Sequence, residues 1–214
     1  LKAEEMMWDM GFDHVEITQY PDDPDQLNIV GYNWGRVNPD EYIVIGGHFD
    51  IAYMFTPPGG GTNEGANDDT SGSTVSLEVG QALARMEFDH TVVAALWACE
   101  EEGLLGSRAY VANLPENVSV RTYMNFDMVS LNYPIVPLTE PLIDPLTGDI
   151  FEPTKYDWSI SIAGASDENM NRMLDWVTYS IDENLAYQPT EGNPIMWQKA
   201  ESCSSDHCSF YSAG

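Results

Sequence analysis

Two runs of this sequence are apolar on both faces and end abruptly in ionisable residues. Tyr42-Ile43-Val44-Ile45 passes through Gly46-Gly47 into His48-Phe49-Asp50, and Val92 to Ala98 passes through Cys99 into Glu100-Glu101-Glu102. A strand with one face in water alternates apolar and polar residues; an unbroken apolar run is a strand covered on both sides. The chain must therefore supply helices for two layers. Val75, Val79, Ala82, Leu83 and Met86 recur at helical spacing and predict an amphipathic helix from about Ser71. A long one is marked by Met170, Met173, Leu174, Val177, Ile181 and Leu185, a short one by Ser107 to Leu114, and a helix over 1–10 stops at Gly11. Further strand-like runs lie at His14 to Gln19, Leu27 to Tyr32, Val120 to Asp127 and Trp158 to Ala163. Strands alternating with helices predict an α/β fold, a single domain over 1–214 with a mixed central β-sheet sandwiched by helices. The Pro57-Pro58-Gly59-Gly60-Gly61 cluster makes 51–65 a loop. Five prolines between Asn132 and Lys155, with a turn at Thr147-Gly148, predict an excursion containing a hairpin.

With 8 Lys and Arg against 35 Asp and Glu, the 214 residues carry a formal charge of −27. Such a surface repels phosphate backbones and anionic bilayers, which excludes nucleic acid as a partner and disfavours membrane binding. No apolar run reaches the roughly 18 residues of a bilayer span, so no membrane insertion is expected. At 43% hydrophobic residues the chain still has core enough to fold, unlike an acidic disordered tail. Dispersed acids repel one another unless counterions screen them, which points to a high-salt habitat or to an ordinary acidic secreted protein.

Ligands of open α/β sheets bind beyond the carboxyl ends of the strands, and the polar residues gather there. His48 and Asp50 follow one strand, Glu100 to Glu102 the next and Asp127 a third; Asn67-Asp68-Asp69 precedes a helix, and Ser205-Asp206-His207 lies near the C-terminus. Singly, each has an ordinary reading: a hydrogen-bonded histidine, a solvated run of acids, Asp68 as a helix cap. Together they do not, because three carboxylates closing an apolar strand repel one another and need a cation. Imidazole with carboxylate suits a borderline divalent ion such as Zn²⁺.

In order, Gly47-His48-Phe49-Asp50, Gly65-Ala66-Asn67-Asp68-Asp69-Thr70-Ser71-Gly72, Glu100-Glu101-Glu102-Gly103-Leu104-Leu105-Gly106-Ser107, Asn125-Phe126-Asp127-Met128 and Ser205-Asp206-His207 resemble the metal-binding motifs of the M28 family of co-catalytic zinc aminopeptidases. The resemblance implies one α/β domain, two zinc ions per chain and peptide substrates. It makes Asp68 the carboxylate that bridges the ions, with His48 and Asp127 completing one site and Glu101 and His207 the other. Glu100 takes the place of the general base that accepts the proton of the attacking water. Asp50 would orient the His48 ring from behind, and the Asp68–Asp69 peptide would be cis. A register one residue later would make Glu101 the base instead.

Two cations so placed would acidify a shared water and polarise the scissile carbonyl. A substrate's free α-amino group would bind a metal or a nearby carboxylate, so trimming would proceed from the N-terminus. Met54, Phe55 and Phe210 are the apolar side chains expected to favour a large first residue, and Tyr211 lies nearest the place of the tyrosine that assists the oxyanion. Family domains begin before the point matching Leu1 and continue past Gly214, so the resemblance implies a domain cut short at both ends. A carboxypeptidase, a glutaminyl cyclase-like enzyme and a non-catalytic binding domain stay open on the same fold; the full set of ligands favours the two-metal peptidase. Cys208 beside His207 suggests a cysteine hydrolase, but neighbours in an extended segment point to opposite faces. Of the three cysteines, Cys203 and Cys208 are expected to close a small disulfide loop, with Cys99 in the core. A secreted or periplasmic chain fits that better than a cytoplasmic one.

Overall fold

The computed structural model describes residues 2–20, 23–52, 64–129 and 204–213, together with the strand segments 142–143, 150–151, 160–164 and 195–199. The chain divides into two compact units, residues 1–130 with 203–214 and residues 131–202.

In the first unit α1 (Lys2–Met10) leads into β1 (His14–Tyr20) and β2 (Asp23–Asn33), an antiparallel pair. Next, β3 (Asn38–His48), α2 (Thr70–Ala84) and β4 (His90–Trp97) form a βαβ unit whose strands are parallel neighbours. α3 (Leu105–Ala112) then carries the chain to β5 (Ser119–Asn125), parallel to β3 on its other side, and α4 (His207–Ala213) belongs to the same unit. The five strands lie in the order β1-β2-β4-β3-β5, with β2 antiparallel to β4, which makes this the mixed sheet the sequence predicts. β2 and β3 start well before their apolar runs, at Asp23 and Asn38, because backbone pairing continues past the last buried side chain.

Alternate residues of the central strands feed two separate cores. Val44, Val93, Ala95 and Trp97 pack on one face with Tyr110 of α3, joined by Phe210 of α4. Ile29, Ala94 and Leu96 pack on the other with Met7 and Met10 of α1 and Leu77 of α2. A strand that fills two cores needs apolar residues at every position, which is why the run from Val92 does not alternate.

β3 hands the chain to α2 on one face, and β4 hands it to α3 on the other. The loops leaving these neighbouring strands therefore diverge, and such a switch point is where open α/β sheets form a crevice. Register brings the strand ends level, since His48 faces Trp97 and Gly46 faces Asn125. The start of α2 comes in tightly against them: a Cβ at Gly47 would lie 2.6 Å from the Phe126 carbonyl oxygen, and one at Gly72 would collide with that oxygen and with Asp69. Only glycine permits this approach.

In the second unit β6 (Leu142–Ile143) and β7 (Ile150–Phe151) pair antiparallel, the hairpin expected in the proline-rich excursion. β8 (Ile160–Gly164) pairs in parallel with β9 (Ile195–Lys199). The helix expected over 170–185 and the Pro57–Gly61 loop lie outside the described residues.

Candidate metal centre

His48, the last residue of β3, stands in the crevice and is 1% exposed. Its Nε2 lies 3.2 Å from Asp68 Oδ1, 3.9 Å from Asp127 Oδ1 and 4.0 Å from Glu100 Oε2. On the far side of the ring, Nδ1 faces Asp50 Oδ1 at 3.4 Å. Asp50 also accepts the Glu100 N–H on Oδ1 at 3.0 Å and the Glu101 N–H on Oδ2 at 3.1 Å. One carboxylate thus holds both the imidazole and the backbone from which Glu100 and Glu101 project.

The Asp68–Asp69 peptide is cis, as the resemblance implies. Its two aspartates have different partners. Asp69, 1% exposed, is the cap of α2: its Oδ1 accepts the Gly72 N–H and the Met128 N–H, each at 3.0 Å. The capping role that the sequence offered to Asp68 falls to its neighbour, and Asp68 faces His48 instead. Two sets of three donor atoms, each set within 4.8 Å, result: His48 with Asp68 and Glu101, and His48 with Asp69 and Asp127. Asp69 is the member that sequence reasoning missed, and the doubled aspartate was the available signal. His207 opens α4 half-buried and is in neither set, although its charge acts on Asp127.

A hydrogen-bond chain reaches Asp127 from the core. Trp97 Nε1–H donates to the Tyr123 hydroxyl at 2.8 Å, and that hydroxyl donates to Asn125 Oδ1 at 2.7 Å. Asn125 Nδ2 donates to Ser205 Oγ at 2.7 Å, and Ser205 in turn bonds the Asp127 carboxylate. Phe210 belongs to the same core, stacked on Tyr123 at 4.1 Å between centroids, which corrects its expected place in a substrate pocket. Tyr211 is exposed, while Met54 and Phe55 lie outside the described residues. The large apolar side chains standing exposed next to Asp50 and Asp127 in the chain are Phe49, Ile51, Met128 and Val129. Cys208 is disulfide-bonded, so its sulfur is no nucleophile. Its expected partner Cys203 lies outside the described residues, and Cys99 is buried as a thiol.

Charge in the crevice is one-sided. Burial pushes the Glu100 carboxyl up to about 8, with His48 opposing and Asp206, Asp127 and Glu101 adding to it. Burial likewise takes Asp69 and Asp206 to about 7 and raises Asp68 and Glu101. At three groups burial is outweighed. Asp127 and Asp50 hold the His48 imidazole up to about 11; Asp50 is lowered by His48 and two backbone N–H groups, and Asp127 by His48 and Ser205. Asp69 Oδ2 and Asp127 Oδ1 are buried without a hydrogen-bond donor. Buried acceptors in that state are rare and call for an unseen partner. A divalent cation would meet them and relieve the crowded carboxylates together, and one imidazole with several carboxylate oxygens is a donor set that suits zinc.

Fold and site together define an α/β protein whose switch point presents a histidine and carboxylate centre fit for a divalent ion. The chain belongs to Peptidase family M28, whose sequence profile matches residues 28–214. It is 37% identical over 112 residues to the probable leucine aminopeptidase 2 of Aspergillus fumigatus, covering 51% of this chain and 21% of that protein. It is 34% identical over 136 residues to a probable zinc metalloprotease of Pyrenophora tritici-repentis, covering 59% and 31% respectively. The crystal structure of the LapA aminopeptidase of Legionella pneumophila shares the fold, with a TM-score of 0.66 at 20% identity over 99% of this chain and 48% of that one. The chain spans 21% and 31% of the length of the two curated relatives.

Proposed function

We propose that this chain carries a zinc-dependent aminopeptidase centre, hydrolysing the N-terminal residue from peptides. The observation that carries the reading is the convergence of His48 with Asp68 and Glu101, and with Asp69 and Asp127, at the switch point of an M28 chain. The relatives named above support the metal and the substrate class. His48, Asp68, Glu101, Asp127 and His207 are proposed to hold two zinc ions, with Asp68 shared between them. Zinc bound there supplies Lewis acidity, polarising a carbonyl and acidifying a water. Glu100, its backbone fixed by Asp50, is the proposed general base: its carboxylate takes the water's proton and returns it to the leaving amine. Asp50, 3.4 Å from Nδ1 of His48, orients the ring from behind and so keeps Nε2 turned into the crevice as a ligand. Phe49, Ile51, Met128 and Val129 favour an apolar first side chain.

The disulfide at Cys208 supports a secreted or periplasmic protein, and the charge of −27 supports a salty habitat. Among the described residues, no helix is long and apolar enough to cross a membrane. The deciding experiment gives the zinc-loaded chain one peptide with a free N-terminus and the same peptide N-acetylated. The expected result is loss of the first residue from the free peptide alone, stopped by chelation. Trimming from the C-terminus, cyclisation of an N-terminal glutamine, or no reaction would overturn the reading.

A further inference from the structure

β2 is apolar at Leu27, Ile29 and Val30, yet between them stands Asn28, only 4% exposed. The β2–β4 ladder ends where Ile29 faces Leu96. One residue beyond, the Asn28 side chain takes over from the backbone: Oδ1 accepts the Ala98 N–H at 3.0 Å, and Nδ2 donates to the Gly106 carbonyl at 2.9 Å. A carboxamide offers the same acceptor and donor as a peptide group. Asn28 therefore adds one more rung to the sheet, within the turn that follows β4 and bears Glu100 and Glu101.

That turn is demanding to hold. Cys99 and Leu104 take left-handed φ of 55° and 63°, and Gly103 takes 110°. Residues with a Cβ keep such angles only where their surroundings fix them. Gly103 and Leu104 both donate to the Glu100 carbonyl at 2.9 Å, Leu105 to Cys99 at 3.0 Å, and Gly106 to Ala98 at 3.0 Å. Ala98 and Gly106 thus close the loop, and Asn28 binds both. The fit leaves no space, since a side chain at Gly106 would strike the Ala98 carbonyl and Asn28 Oδ1. Asp50 grips the same turn through Glu100 and Glu101.

We infer that Asn28 is a positioning residue, which sets the backbone that aims Glu100 and Glu101 into the crevice. Its effect on rate rests on the aminopeptidase reading; its effect on the turn does not. The molecule contains a matched control. Asn33, on the same strand and 9% exposed, donates Nδ2 to the Leu83 and Met86 carbonyls at 3.1 and 2.9 Å, at the far end of α2.

The experiment compares Asn28→Ala with Asn33→Ala in two measurements. In metal-free protein, amide exchange over 98–106 should quicken about tenfold to a hundredfold in Asn28→Ala, the worth of its two buried hydrogen bonds, and stay at the parent rate in Asn33→Ala. In zinc-loaded protein, Asn28→Ala should lower kcat about tenfold to a hundredfold, as small misplacements of catalytic groups do, with KM unchanged. If the alanine variant does not fold, Asn28→Ser is read in the same way. Unchanged exchange over 98–106, or an equal fall in kcat from Asn33→Ala, overturns the inference. A zinc-loaded parent without aminopeptidase activity would overturn the proposed function instead, and exchange alone would then decide the role of Asn28.

Discussion

The two ends of the same parallel strands handle negative charge in opposite ways. At the amino ends, Glu41 of β3 meets His90 Nε2 at 3.0 Å and Arg121 Nη1 at 3.2 Å, all three side chains reaching water. At the carboxyl ends, Asp50, Asp68, Asp127 and Glu100 crowd around His48, which is 1% exposed. The first cluster is complete in its own side chains and solvent. The second is short of positive charge and contains buried oxygens with no donor. A carboxylate is informative where burial removes water and no basic side chain replaces it, which is why Glu41 reads as surface and Asp127 as site.

Removing the cation should break this contrast most visibly. Chelation should take aminopeptidase activity to background and lower the melting temperature, because a ligand at a hundredfold its Kd contributes about 2.7 kcal/mol. Activity that survives a chelator would mean that the carboxyl end is as self-sufficient as the amino end. Next in size is the pair Glu100→Gln and Glu101→Gln. The first should cost about 10²- to 10⁴-fold in rate while zinc stays bound; the second should lose zinc as well, measured by elemental analysis beside the rate. Zinc lost from Glu100→Gln and kept by Glu101→Gln would move the base to Glu101.

A smaller effect should come from salt. Screening the net charge should raise the melting temperature between low and molar salt, and a flat profile would dismiss the high-salt habitat. Least of all should change at the amino ends. Glu41→Gln is expected to cost less than about 1 kcal/mol in urea unfolding, with no change in rate, as exposed pairs do. A larger loss would show that this cluster is more than a surface ion pair.

The layered sheet is legible in the sequence because Val92 to Ala98 and Tyr42 to Ile45 leave no polar face to turn to water. That His48, Asp68, Glu101 and Asp127 gather at one end of the sheet is legible too, since each follows a strand or precedes a helix there. Less is readable where choice depends on direction in space. Asp68 and Asp69 are the same residue type, and only the backbone decides which of them turns to Gly72 and Met128 and which to His48. Phe210 looks available beside His207, yet the start of α4 turns it onto Tyr123. Asn28 is hidden for another reason: one polar residue in an apolar strand reads as an irregularity until Ala98 and Gly106, 70 and 78 residues away, are seen to need it.

The tie between Asn125 and Ser205, 80 residues apart, has a consequence for how the protein comes into being. Groups drawn from β3, the α2 cap, the turn after β4, the end of β5 and the C-terminal segment meet only when the sheet is whole, and contacts of such long sequence separation form late and slowly. A growing chain on the ribosome that has been made only through β3 has His48 but none of its carboxylate partners from Asp68 onward. On the aminopeptidase reading, the proposed centre thus stays incomplete until the segment bearing Ser205 has been made and has joined the sheet.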